Sequence, residues 1–253
     1  LKTGTLYRDL TLRKLLAAHA VETQIKADLL VCSGNGRSLS FCITGEDPDA
    51  ENTCPAILHL DQIIRDPEKV AAILLSKLQL NKTVFARKCE VRPVDKKTAG
   101  AFLEKYHLMN ATKSAFNLGL WFKEELIALA TFSKGRKMNR LPEDQRSFEL
   151  IRFCCKSGMT VTGGLTKLLR HFCEEKQAGD IMTYVDKQLS DGRAFIQAGF
   201  KKHSETAPNY FLVNRLSFER TAADREETFD RKKFYLSHNA GNIKLVYTPH
   251  EGI

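Results

Sequence analysis

Long hydrophobic runs are absent from this chain of 253 residues. No stretch approaches the roughly 18 apolar residues that a bilayer span needs, and residues 1–20 mix charges rather than forming an export signal. The expectation is a cytoplasmic protein with no membrane association. Metal-site spacing is missing from the cysteines. Cys154 and Cys155 are adjacent, while Cys32, Cys42, Cys54, Cys89 and Cys173 are scattered, so reduced and mostly buried thiols are expected and a metal centre is not. Internal repeats and low-complexity segments are also lacking, which excludes a repeat architecture. What the chain has in excess is positive charge: 39 Lys and Arg against 30 Asp and Glu, a formal net charge of +9. That balance favours polyanions and makes nucleic acid a candidate partner, without bearing on the fold.

The sequence is organised around Phe148 to Phe200. Phe148–Cys155 reads as a strand, Gly163-Gly164 as a tight turn, and Leu165, Leu168, Leu169 and Phe172 mark one face of a helix. Ile181–Asp186 reads as a further strand and Asp191–Ala198 as a second short helix. A helix start of this kind has unpaired N–H donors and about half a positive charge, which suits a phosphate or pyrophosphate; an ordinary strand-to-helix turn is the alternative.

Residues 1–82 read as a small α/β domain. Leu10, Leu15, Leu16 and Ala20 lie near one helical face, and strands over 25–32 and 38–44 flank the hairpin signal Gly34-Asn35-Gly36. Residues 46–52 read as a polar loop and 56–60 as a short strand. Asp66-Pro67-Glu68 opens a helix that buries Val70, Ile73, Leu74 and Leu78. His59, alone in an apolar run, is read as a core histidine with no chemistry. Over 83–214 the pattern gives an extended basic segment, a helix over 95–106, a hairpin of strands 114–122 and 126–132, and a basic loop containing Lys134, Arg136, Lys137 and Arg140. A charge run of this kind is usually a solvated loop; the alternative is a nucleic-acid contact, which its expected place beside the glycine turn raises. Residues 208–213 are expected to close the sheet. The stretch 215–229 reads as an exposed connector or surface helix, and 233–237 with 243–247 as a terminal hairpin. The last region, 215–253, is expected to be an extension packed on the second domain.

The order strand, helix, three strands, glycine-turn helix, strand, helix, strand resembles the GNAT acyltransferase fold, and Arg193–Phe200 looks like that family's helix ending in Gly-Phe. The resemblance implies a mixed α/β fold with a central mixed sheet flanked by helices, acetyl-CoA or another acyl-CoA as cofactor, and acyl transfer to an amine. It places cofactor contacts on Cys154, Cys155, Lys156, Val161, Thr162, Gly163, Gly164, Leu165, Thr166 and Lys167. A narrower set looks like the Mom-like branch of phages and integrated elements, whose Mom proteins modify adenine in DNA: His107-Leu108, Thr131–Ser133 with Arg136, Glu149–Arg152, Gly163–Lys167, Tyr184–Asp186, Ser190–Gly192, Gly199-Phe200, Pro208–Tyr210 and a tail over 239–245. Some relatives carry a restriction-endonuclease-like domain at the amino end. Residues 24–82 look like a degenerate version without the acid and Glu-x-Lys that hold a nuclease's metal.

Acyl transfer to an amine needs a proton acceptor, oxyanion donors and an acid for the thiolate. Asp186, at the end of its strand, is the first candidate for base or amine orientation. His107 either pairs with Asp186 or sits as a cation at a helix C-terminus. Tyr210 is either the acid or a packed strand residue, and Ser133 is a candidate hydrogen-bonder. Glu149 and Arg152 either line the cleft or pair with each other or with Arg136. Lys134, Arg136, Lys137 and Arg140 are the candidate DNA-phosphate contacts. The alternatives to a DNA modifier are a non-catalytic DNA-binding accessory protein and an N-acetyltransferase acting on a small molecule or a protein.

Overall fold

A computed structural model describes residues 11–26, 29–44 and 56–249. Helix α1 (Thr11–Ala17) buries Leu12 and Leu16, four residues apart on one face. An antiparallel meander follows, β1 (Glu22–Lys26), β2 (Leu29–Gly34) and β3 (Arg37–Thr44). Its second turn holds Asn35 and Gly36 at φ 54° and 68°, the left-handed pair that a two-residue hairpin requires. The single strand expected over 25–32 is instead two strands folded back on each other, which pairs Ile25 with Leu30 and satisfies both backbones. β4 (Ile57–His59) joins β3 in parallel and leads into α2 (Leu60–Arg65) and α3 (Pro67–Lys77). Pro67 stands at the start of α3, but the Asp66 carboxylate pairs with Arg65 at 2.7 Å and Lys69 at 3.1 Å instead of capping the helix. The expected loop over 46–52, Leu10 and Cys54 lie outside the described residues.

The chain continues through β5 (Lys82–Phe85), a 3-10 turn at Ala86–Lys88, β6 (Glu90–Pro93) and α4 (Lys96–Tyr106). The carboxylate of Asp95 caps α4 by accepting the Thr98 N–H at 2.9 Å. Next come β7 (Phe116–Phe122), β8 (Glu125–Phe132), β9 (Arg146–Cys155), β10 (Met159–Thr162), α5 (Gly164–Lys176), β11 (Ala178–Asp186), α6 (Arg193–Gln197) and β12 (Lys201–Glu205). The last strands are β13 (Tyr210–Asn214), β14 (Arg220–Ala223), β15 (Phe234–His238) and β16 (Asn242–Tyr247). α6 starts two residues later than expected because Gly192, left-handed at φ 75°, stands at its N-cap in place of Ser190 or Asp191.

Seven strands form one sheet in the order β12-β16-β11-β9-β8-β7-β6. The β9–β11 pair is parallel, while β6–β7, β7–β8, β8–β9 and β12–β16 are antiparallel, so the fold is mixed α/β around a central mixed sheet. Side chains alternate across the sheet: Ala128 and Ala130 of β8 pack with Leu165, Leu168 and Phe172 of α5, whereas Leu129 packs with Phe102 and Leu103 of α4. The two helices therefore cover opposite faces. β5 and β10 make a separate parallel ribbon, and β14-β13-β15 a separate three-stranded sheet. Two expectations are corrected here. Residues 210–214 do not close the large sheet, because they pair with 220–223 and 234–238; the strand beside β11 is β16. β15 and β16 form no hairpin for the same reason, each being paired in a different sheet.

Contacts divide the chain into unit 1, Leu1–Leu80 with Asp186–Asp191 and Thr206–Asn242, and unit 2, Asn81–Val185 with Gly192–Glu205 and Ile243–Ile253. This grouping differs from the expected partition at 82 and 214: most of the C-terminal region belongs with the N-terminal strands. Cys42 is disulfide-bonded, against the expectation of uniformly reduced thiols, whereas Cys32, Cys89, Cys154, Cys155 and Cys173 are free. Among the described residues no helix is long and apolar enough to cross a membrane.

Candidate active site

In unit 2 the central parallel strands stay together only over their first halves. The β9–β11 register runs from Arg146 opposite Ala178 to Glu149 opposite Met182 and ends there. Further along, β9 pairs with β8 alone, and the Thr183 hydroxyl donates to the Leu150 carbonyl at 2.9 Å, satisfying an acceptor that the ladder has released. A bulge lies at the same level: Phe132 faces Leu150 and Thr131 faces Arg152, so Ile151 is the extra residue. Its carbonyl accepts from Arg152 Nη1 at 2.9 Å. The split thus opens beside Glu149, Ile151 and Arg152.

Beyond the end of β9 the chain reaches the glycine turn. Gly163 is left-handed (φ 75°, ψ 5°) and stands at the N-cap of α5 with no side chain to cap it. Gly164 is tightly packed: a Cβ there would lie 3.0 Å from Leu120 and 3.1 Å from Val161, so these neighbours would have to shift by a few tenths of an ångström. The first intrahelical bond runs from the Lys167 N–H to the Gly163 carbonyl at 3.0 Å, so the N–H groups of Gly164, Leu165 and Thr166 find no acceptor within the helix. Thr162 and Gly163 are exposed, which leaves this positive helix end open to an anion.

Most of the side chains expected to assist the turn are committed elsewhere. Lys167 Nζ donates to the carbonyls of Ala86 at 3.1 Å and Cys89 at 2.5 Å, bracing the 3-10 turn, and Lys156 is paired with Glu125. Val161 and Leu165 belong to the core, Cys154 packs in the cluster under α4, and burial raises the pKa of the Cys155 thiol. The backbone of 163–166, with exposed Thr162 and half-buried Thr166, is therefore what the turn offers.

The catalytic candidates fall in different units. Asp186 and Tyr210 belong to unit 1, His107 and Ser133 to unit 2. Asp186 Oδ1 accepts the Gln188 N–H at 2.8 Å and Oδ2 accepts Asn239 Nδ2 at 3.0 Å, so both oxygens are used in organising a turn. Around it, His59 Nε2 lies 2.8 Å from Gln188 Oε1 and its Nδ1 3.3 Å from the Ser237 hydroxyl, while Arg220 Nη2 donates to buried Asp61 at 2.8 Å. His59 is the core residue expected: burial, and then the charge of Arg220, pull its pKa down to about 4. Tyr210 sits in β13 with its ring 5.2 Å from that of His238. His107 ends α4, and its Nδ1 accepts the Met109 N–H at 3.1 Å. The Ser133 hydroxyl accepts the Glu149 N–H at 2.9 Å, bridging β8 to β9. Among the described residues no ion pair joins Glu149 to Arg152 or Arg136. Arg152 Nε is buried without a partner, and burial lowers the guanidinium pKa while the nearby Glu149 charge raises it. Glu149, for which the sequence left open a structural pair or a place lining the cleft, stands where β9 and β11 separate; the point of separation has no signature in the residue pattern.

The basic loop is not beside the glycine turn. Arg136 exchanges two backbone hydrogen bonds with Ser147, both 2.9 Å, at the start of β9, whereas the turn follows the end of that strand. Ser147 to Cys155 spans eight residues, about 26 Å of strand. Arg140 Nη2 pairs with buried Asp180 Oδ2 at 2.5 Å, so this cation, itself exposed, is committed to an internal carboxylate.

No family model matches the chain, and no curated protein matches it. Among solved structures it is similar to a Bacillus subtilis acetyltransferase in complex with CoA (TM-score 0.37, 13% identity, 64% of this chain and 99% of that one). It is also similar to a GNAT family acetyltransferase from Elizabethkingia anophelis with acetyl-CoA bound (TM-score 0.37, 11% identity, 64% and 98% covered). A third is a GNAT family acetyltransferase from Streptococcus pneumoniae (TM-score 0.36, 10% identity, 63% and 98% covered).

Proposed function

We propose that unit 2 is a GNAT-like N-acyltransferase that uses acetyl-CoA or another acyl-CoA. The observation that carries this reading is the split between parallel strands β9 and β11, combined with the exposed start of α5 after the end of β9. The turn fits a pyrophosphate: it presents the unpaired N–H groups of Gly164, Leu165 and Thr166, and Gly163 keeps the approach free of side chain. Bound acyl-CoA supplies an activated thioester. Glu149, partly exposed at the last paired position of β9, takes the proton of the attacking amine, and Asp186 is a structural residue because both its oxygens already accept hydrogen bonds. Isothermal titration with acetyl-CoA tests the reading. Micromolar binding is expected, and the absence of binding would overturn it.

A finer reading takes the Mom-like resemblance further, with adenine in DNA as the acceptor. It is favoured by the charge distribution: unit 2 carries a formal +10 and unit 1 a formal −1, which together make the net charge of +9. In the same reading unit 1 is a catalytically silent, restriction-endonuclease-like remnant, since β2 and β3 carry no carboxylate to hold a metal. Mass spectrometry of nucleosides from a host expressing the protein should reveal a new adenine adduct that is absent with Glu149→Gln. Acetyl-CoA binding without an adduct would instead indicate a small-molecule or protein acceptor, and DNA binding without acetyl-CoA binding a non-catalytic accessory protein.

A further inference from the structure

We infer that the loop from Lys134 to Arg140 docks the phosphodiester backbone of duplex DNA, at the end of β9 remote from the glycine turn. The loop is fixed in place. Ser133 N–H donates to Glu149 O at 2.9 Å, Arg136 and Ser147 exchange their paired backbone bonds, and the Arg140–Asp180 pair holds the far end. Gly135 lies so close to the Phe148 ring that a Cβ there would be 2.8 Å from it, so the backbone is pressed onto the core. On this fixed frame Lys134, Arg136 and Lys137 are exposed and have no acidic partner among the described residues. Three uncompensated cations within four residues, held without the entropy of a mobile loop, suit an extended polyanion better than a single anion in a pocket. Arg140 is spent on Asp180 and contributes anchoring instead of phosphate contact. The distance along β9 makes the loop a docking site separate from the glycine turn, while the Ser133–Glu149 bonds set its start beside the strand split.

This inference does not require acyl transfer. Binding of a random-sequence DNA duplex should weaken steeply with salt, and the triple variant Lys134→Gln, Arg136→Gln, Lys137→Gln should reduce the slope of log K against log salt by about 2.7, from three contacts at about 0.9 each. Lys137→Gln alone, the milder change, should reduce it by about 0.9. Circular dichroism checks that both variants keep the fold. A photo-crosslinker on Met138→Cys, exposed in the loop, should capture the duplex, whereas one on Thr162→Cys at the glycine turn should not. No duplex binding by the unmodified protein, an unchanged slope in the folded variants, binding to anionic vesicles in place of DNA, or crosslinking only at Thr162→Cys would each overturn the inference. Loss of acetyl-CoA binding with an intact loop-dependent slope would sink the acyltransferase reading and leave this one standing.

Discussion

The two units bury different chemistry. Unit 2 closes on phenylalanines: Phe172 stacks on Phe132 at 3.8 Å and meets Phe148 and Phe116 edge-on at 5.0 and 5.8 Å. Its charges stay mostly at the surface. Unit 1 buries His59, Asp61, Gln188, Ser237 and Asn239, each with a partner, and through them joins stretches of chain that lie far apart in sequence. Polar groups are thus consumed as internal fasteners in unit 1, whereas in unit 2 the open helix start and the loop cations remain available to other molecules.

The comparison is testable by substitution. Phe172→Ala should have the largest effect, about 4 kcal/mol of stability lost in denaturant titration, from lost burial plus the cavity left behind. Asp61→Ala strands the buried Arg220 guanidinium and should cost about 3 kcal/mol, while Arg92→Ala, which removes exposed pairs to Glu90 and Glu124, should leave the unfolding midpoint nearly unchanged. Equal effects of the two charge deletions would break the contrast. The His59 imidazole titrates near 4 when folded against 6.5 when free, so between these values the unfolded chain binds more protons. Stability should therefore fall as pH drops from 6.5 to 4, by up to about 3 kcal/mol, and His59→Gln should flatten that part of the pH profile. Gly163→Ala should have a modest effect, about 1 kcal/mol for placing a Cβ at φ 75°, between those of Asp61→Ala and Arg92→Ala.

Local features were legible in the residues: the hairpin at Asn35-Gly36, Pro67 at the start of α3, the apolar face Leu165, Leu168, Leu169 and Phe172, and the left-handed need at Gly163. Features set by distant partners were not. A strand pattern does not say which sheet it will join, so 210–214 and 242–247 could exchange roles in a sequence reading. Asp186 is invisible as a turn organiser because Asn239 lies 53 residues away. The basic loop and the glycine turn look adjacent in the chain, but the intervening strand carries them to opposite ends of β9. Separation of β9 from β11 is a matter of register, which period-two alternation does not encode.

The most direct measurement is the affinity of acetyl-CoA for the protein and for its Thr162→Glu variant. A carboxylate at this exposed position next to the α5 start should leave stability unchanged or slightly raised, since it complements the helix dipole, while repelling a pyrophosphate. The account predicts micromolar binding by the unmodified protein and at least a tenfold loss in the variant, about 1.4 kcal/mol. Equal affinity in the two proteins, or no binding by either, would contradict it.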